Sequence, residues 1–108
     1  CVNMVKILLI VMSEEEEKIR MPLNFIKNQS QAGNEIRVIF WGPSEKTLAA
    51  NDQLRKEYNS FATVKPKACV NSAKKYNLDA KLSSDIELIP VGEYIRKSIE
   101  EGYVTITF

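Results

Sequence analysis

Val5-Lys6-Ile7-Leu8-Leu9-Ile10-Val11 is a near-continuous run of β-branched and aliphatic side chains, interrupted by one lysine. A half-solvated strand would alternate and an amphipathic helix would repeat every 3.6 residues. An unbroken run instead suits a strand buried on both faces, as in a parallel sheet covered by helices. The stretch is therefore read as the first and central strand of an α/β domain. With Met12 added it is far short of the roughly 20 apolar residues that span a bilayer. It leads into no small-residue cleavage site, so no secretory signal is expected.

Outward from this strand, Ser13 and Glu16 stand at capping-box spacing, with Glu14 to Glu17 supplying carboxylates to a helix start. Pro22 predicts either a kink or a restart with proline in the first turn, running to Gly33 and burying Leu23, Ile26 and Phe25. Glu35 to Trp41 reads as a second strand, ended by Gly42-Pro43-Ser44. Ser44 then caps a helix that turns Leu48, Ala49, Leu54 and Tyr58 inward and breaks near Asn51-Asp52. Thr63 to Ala68 is a weaker strand, since Pro66 removes a ladder donor. Val70 to Tyr76 reads as a short helix, Ile86 to Ile89 as a strand, Glu93 to Glu101 as a helix and Tyr103 to Phe108 as a last strand with Val104 and Ile106 alternating. Strands alternating with helices imply parallel pairing through right-handed crossovers, hence a layered α/β sandwich of about five strands.

The chain of 108 residues fits one domain, 1–108, with residues 1–3 as a loose extension ahead of a natural start at Met4. A net charge of +1 gives no global field toward nucleic acid or an anionic membrane, and neither partner is expected. Two cysteines, Cys1 and Cys69, do not make a disulfide framework, and a reducing cytoplasm fits them best. The sequence contains no histidine, which removes Cys/His and Ser/His catalysis and most zinc and iron sites. Four scattered glycines form neither a dinucleotide fingerprint nor a phosphate loop.

Ligands of open α/β sheets gather at the carboxyl ends of the strands. That edge collects Met12-Ser13, Trp41-Gly42-Pro43-Ser44, Ala68-Cys69 and Pro90-Val91-Gly92. Cys69 falls where the third strand gives way to a helix, and a thiol at a helix N-terminus is driven toward thiolate. Lys67, two residues earlier, could add positive charge on the same side. The alternative is a small buried hydrophobe, which is how many free cysteines behave. In Cys69-Val70-Asn71-Ser72 the dithiol spacing lacks its second sulfur, so intramolecular disulfide exchange is closed while a lone thiolate could still carry sulfur. Trp41 reads as packing or a subunit contact. Asp85 and Glu93 could act as acid or base, though carboxylates of this kind are usually only solvated.

Met21-Pro22-Leu23-Asn24-Phe25, Arg37 to Ser44 with its Phe40-Trp41-Gly42-Pro43 centre, Ala68-Cys69, and Gly102-Tyr103-Val104 before the closing Phe108 together resemble the DsrE/DsrF-like family. The likeness runs over nearly the whole chain from Val5. It implies a three-layer α/β/α sandwich with a five-stranded parallel sheet in the order 4-3-2-1-5, three crossovers on one face and a single helix on the other. It also implies homo-oligomers, trimeric or hexameric. Sulfur-relay members of the TusD, DsrE and YchN kind carry a persulfide on a cysteine whose position Cys69 matches.

The expected function is accordingly that of a small cytoplasmic sulfur carrier, or sulfurtransferase-like protein, with Cys69 as nucleophile. Met12, Ser13, Trp41, Gly42, Ser44, Lys67, Asn71 and Gly92 would form a pocket for the anionic sulfur species, with donor and acceptor proteins as partners and no metal or organic cofactor required. The alternative is a non-catalytic oligomeric module in which Cys69 only packs and the strand-end pocket binds a small ligand or a partner segment.

Overall fold

The computed structural model describes residues 4–108; the expected extension at 1–3, with Cys1, lies outside the described residues. Five strands form one all-parallel sheet in the order β4-β3-β2-β1-β5. They are β1 (Lys6–Val11), β2 (Glu35–Phe40), β3 (Lys67–Cys69), β4 (Glu87–Ile89) and β5 (Val104–Thr107). The central position of β1 follows from its apolar run: Leu8, Leu9 and Val11 are wholly buried, with β2 on one side and β5 on the other.

The pleat divides this run between two cores. Leu9 and Val11 join Val38, Phe40 and Ala68 under α1 (Glu16–Gln31), α2 (Ser44–Ala50), α3 (Asp52–Tyr58), α4 (Val70–Lys75) and α5 (Asp79–Leu82). Leu8 and Ile10 join Ile39 and Cys69 on the opposite face, beneath α6 (Val91–Glu100). The β1-to-β4 connections thus load one face. The β4–β5 crossover returns across the other, as right-handed connections require when the direction of strand addition reverses.

Pro22 does not restart its helix: α1 runs through it from Glu16 to Gln31. Proline has no N–H to return to the carbonyl one turn earlier. The ring itself is buried, and in the same turn the Tyr58 hydroxyl donates to the Ile19 carbonyl, tying α1 to α3. Tyr58 is fully buried with its ring edge-on to Phe40, centroids 4.8 Å apart at 86°. Tyr58→Phe keeps that packing and removes the hydroxyl, so it should cost about 1 kcal/mol in a denaturant-unfolding comparison. A neutral result would mean that the Ile19 carbonyl is satisfied without Tyr58.

Other boundaries moved for identifiable reasons. Ser13 does not cap α1: the Met12 and Ser13 N–H groups donate to the Phe108 carbonyl at 2.8 and 3.2 Å, which holds Ser13 at the end of the sheet, and its hydroxyl accepts from the Glu15 N–H instead. Ser44 does not cap α2 either. It is a helical residue whose hydroxyl donates to the Val11 carbonyl at 2.6 Å, tying α2 to the end of β1. Asn51 does separate α2 from α3, its side chain accepting from the Leu54 N–H. Pro66 leaves β3 only the three residues Lys67–Cys69. The expected alternation at the C-terminus does not bury β5: Val104 and Ile106 face the α1 side but lie beyond its cover and stay exposed.

Candidate functional site

Parallel pairing brings the ends of β1, β2 and β3 to one edge, and Cys69 is the last residue of β3 and the cap of α4. Its Sγ accepts a hydrogen bond from the Ser72 N–H at 3.4 Å, the geometry that a serine or aspartate oxygen gives at this position. The rest of the side chain contributes to the α6-side core with Leu8, Ile10, Ile39, Val91 and Tyr103, leaving Cys69 4% exposed.

One strand over, Glu45 lies in the first turn of α2 and is completely buried. Its Oε1 accepts from the Gly42 N–H at 3.2 Å, a reach back of three residues like that of a capping box. Its Oε2 is buried without a hydrogen-bond partner of normal geometry. Burial pushes the carboxyl up to about 7, against the Gly42 N–H and the Ser72 side chain, which both favour the charged form. Ser72 gives its backbone N–H to the Cys69 sulfur at the start of the neighbouring helix. A nucleophile type and a carboxyl poised near neutrality therefore share one edge of the sheet.

The expected pocket is only partly assembled. Gly42, Ser44, Cys69 and Asn71 do gather at this edge, but the backbone donors meant to cradle an anion are engaged. The Gly42 N–H serves Glu45 and the Ser44 N–H donates to the Met12 carbonyl at 3.1 Å. Met12 and Ser13 are taken up by Phe108, and Trp41 is exposed while its N–H bonds the Val11 carbonyl. Gly92 is exposed in the first turn of α6, next to the buried Val91 that covers Cys69.

Lys67 shares the sheet face of Cys69, but its Nζ is paired with Glu87 at 2.6 Å across the β3–β4 ladder. It lines a groove with Arg37, Tyr94 and Tyr103, so its charge is committed away from the thiol. Asp85 is held by Arg55 at 2.9 Å. Glu93 is paired with Arg96 on an exposed face, which holds its carboxyl below the usual range. Asp85 lies in the turn before β4, away from the Cys69 edge, and Glu93, in the first turn of α6, has its charge committed to Arg96.

Glu45 was not among the residues expected from sequence. A glutamate in a helix's first turn reads as a solvated partner of the helix dipole. Yet Glu45, Leu48 and Ala49 fall at positions i, i+3 and i+4, so the stripe that turns Leu48 inward also turns Glu45 inward. Among the described residues there is no group of three or more Asp, Glu, Cys or His side chains placed to hold a metal ion, and no helix is long and apolar enough to cross a membrane.

No protein-family model matches the chain, and no curated protein matches it. A solved structure of a conserved protein of unknown function from Bacteroides thetaiotaomicron is similar to it, with a TM-score of 0.79 and 16% sequence identity over 94% of each chain. At that identity the likeness concerns the fold.

Proposed function

We propose that the protein is a small cytoplasmic sulfur carrier of the kind its motifs resemble, holding a persulfide on Cys69. The observation that carries this reading is the Ser72 N–H on the Cys69 sulfur at the end of β3. A persulfide held by this backbone donor in a shielded position would be kept from bulk water. The donor is a small sulfane-sulfur species, because the slight exposure of Cys69 admits little else unless the α6 end opens. The exposed Val104 and Ile106 on the β5 edge are where a second copy would pack in the trimer or hexamer expected from the resemblance.

The burial of Cys69 among Leu8, Ile10, Ile39 and Val91 favours a second reading, an assembly or ligand-binding module with a merely structural cysteine. Intact-mass spectrometry after exposure to polysulfide or thiosulfate separates the two. A reductant-sensitive gain of whole sulfur atoms is expected at Cys69 in a Cys1→Ser background, and Cys69→Ser should abolish it. Equal uptake by both proteins, or none by either, would leave the module reading in possession.

A further inference from the structure

The two faces of the sheet are unequally covered. Five strands about 4.8 Å apart put about 19 Å between the outer two, whereas the one helix on the α6 side is only about 10–12 Å across. Beside α6 the face lies open as a groove of about 550 Å³ that reaches the amino ends of β2 and β5, within the usual size of a small-molecule site. Its charged lining is Arg37, Lys65 and Lys67 against one carboxylate, Glu35, which accepts from the Tyr103 hydroxyl at 2.8 Å.

Arg37 is fixed in the floor of this groove. Its Nη1 donates to the fully buried Ser98 hydroxyl at 2.9 Å, and its guanidinium lies 4.1 Å from the Tyr103 ring centroid and 5.4 Å from that of Tyr94. Lys67 stands on the next strand. Parallel pairing sets it opposite Ile39, two residues beyond Arg37, which puts the two Cα atoms about 8 Å apart. Both cations already hold a carboxylate, Glu101 on Arg37 at 2.7 Å and Glu87 on Lys67 at 2.6 Å. The cations are the sheltered members of these pairs: Arg37 and Lys67 side chains are 28% and 19% exposed, those of Glu101 and Glu87 51% and 65%. Carboxylates so exposed leave an ion pair at little cost, while the cations stay where the floor holds them.

We propose that this groove binds a small organic dianion, whose two charged groups replace Glu101 on Arg37 and Glu87 on Lys67. Lys65, exposed at the rim and without an ion pair among the described residues, adds attraction. The span between the anchors suits two anionic groups joined by a short chain, as in a dicarboxylate or a phosphorylated carboxylate. Both offer the charged oxygens that arginine and lysine recognise. The site involves neither Cys69 nor the sulfur-carrying reading.

Isothermal titration calorimetry of the whole chain with glutarate, 2-phosphoglycolate and the monoanion butyrate tests this. At least one dianion should bind at a single site with a dissociation constant below about 1 mM, and butyrate about tenfold more weakly or worse. Tighter binding of glutarate would assign a dicarboxylate, and tighter binding of phosphoglycolate a phosphoryl compound. Arg37→Gln and Lys67→Gln should each weaken binding about tenfold or more. Glu87→Gln/Glu101→Gln should instead tighten it about three- to tenfold, because the cations are then never occupied by their own carboxylates.

A damaged fold does not gain affinity, so the glutamate variant decides the matter even if a cation variant unfolds. Glu14→Gln/Glu17→Gln makes the same change in net charge at the exposed start of α1 and should leave affinity as it was. Absence of saturable binding of either dianion at concentrations on the order of 10 mM would overturn the proposal. So would butyrate binding as tightly as the dianions, undiminished binding by folded Arg37→Gln, or equal tightening in the two double glutamate variants, which would mean only a general attraction of anions.

Discussion

Between about pH 5 and pH 8 the protein should lose ~2–3 kcal/mol of folding stability that Glu45→Gln retains. The sign follows from which state holds the proton. Burial raises the folded carboxyl from its ordinary 4.5 to about 7, so in that interval the native protein keeps a proton that the unfolded chain has released. Stability from this group is complete below the unfolded value, declines as pH rises through the folded one, and is level beyond it. The lower end of the magnitude allows for the relaxation and water penetration that soften burial effects in real proteins.

The window is clean. With no histidine in the sequence, no side chain with an ordinary pKa titrates there. The carboxyls displaced the other way act lower: Asp52 is held down chiefly by Arg55, Glu87 by Lys67 and Glu93 by Arg96, and what they contribute is lost only as pH falls below the usual carboxylate range. Urea midpoints for parent and variant at the two pH values give the difference of differences, from which any constant cost of placing an amide in the slot cancels. Parallel behaviour of the two proteins would show that Glu45 is ionised throughout. The expected gain in stability on removing a buried carboxyl is also what a group retained for chemistry produces, since functional sites commonly cost folding energy.

How much of this was readable beforehand depended on whether a residue's environment came from its own stretch of chain. The Val5–Val11 run announced a doubly covered strand because both of its faces meet helices; β2 and the Asn51 break were legible for similarly local reasons. The strand order came from spaced motifs, because nothing local to β5 says that it pairs with β1 rather than extending from β4. The restart expected at Pro22 did not occur because its ring is buried against the core, a contact made by residues distant in sequence. Ser13 and Ser44 satisfied local capping rules, yet Phe108 and Val11 offered them backbone partners that won.

The same distinction governs the site. Cys69 was found by position alone, at the end of a strand and the start of a helix. The anion cradle failed because Gly42 and Ser44 spend their N–H groups inside the fold. Glu45 was hidden by its residue type, although the spacing to Leu48 and Ala49 carried the signal: its burial is a property of the helical stripe, and a charged residue on such a stripe is the observation to weigh.

The other large effect concerns Arg55, which holds α2, α3 and the approach to β4 together from a nearly buried position. Its Nη1 donates to the Leu48 and Ala49 carbonyls at 2.9 and 2.7 Å, its Nε to Asp85 at 2.9 Å, and its Nη2 to Asp52. The guanidinium therefore closes the C-terminal turn of α2, whose first turn carries Glu45, and ties it to the turn before β4. Arg55→Leu fills much of the volume but leaves two helix-end carbonyls without these donors and Asp85 without its cation. Removing one partner of a buried pair costs about 3–5 kcal/mol, and the lower end applies because Asp85 remains half-exposed and can be rehydrated. Arg55→Lys keeps the charge but not the fork that reaches carbonyls and carboxylates at once, and should fall between. Unfolding in urea of the parent, both variants, Asp85→Asn and the Arg55→Leu/Asp85→Asn double variant apportions the loss. A double variant no worse than Arg55→Leu would place the cost in the pair, whereas additive losses would place it in the α2 carbonyls. A loss below about 1 kcal/mol for Arg55→Leu would mean that the network contributes no more than an ordinary surface ion pair.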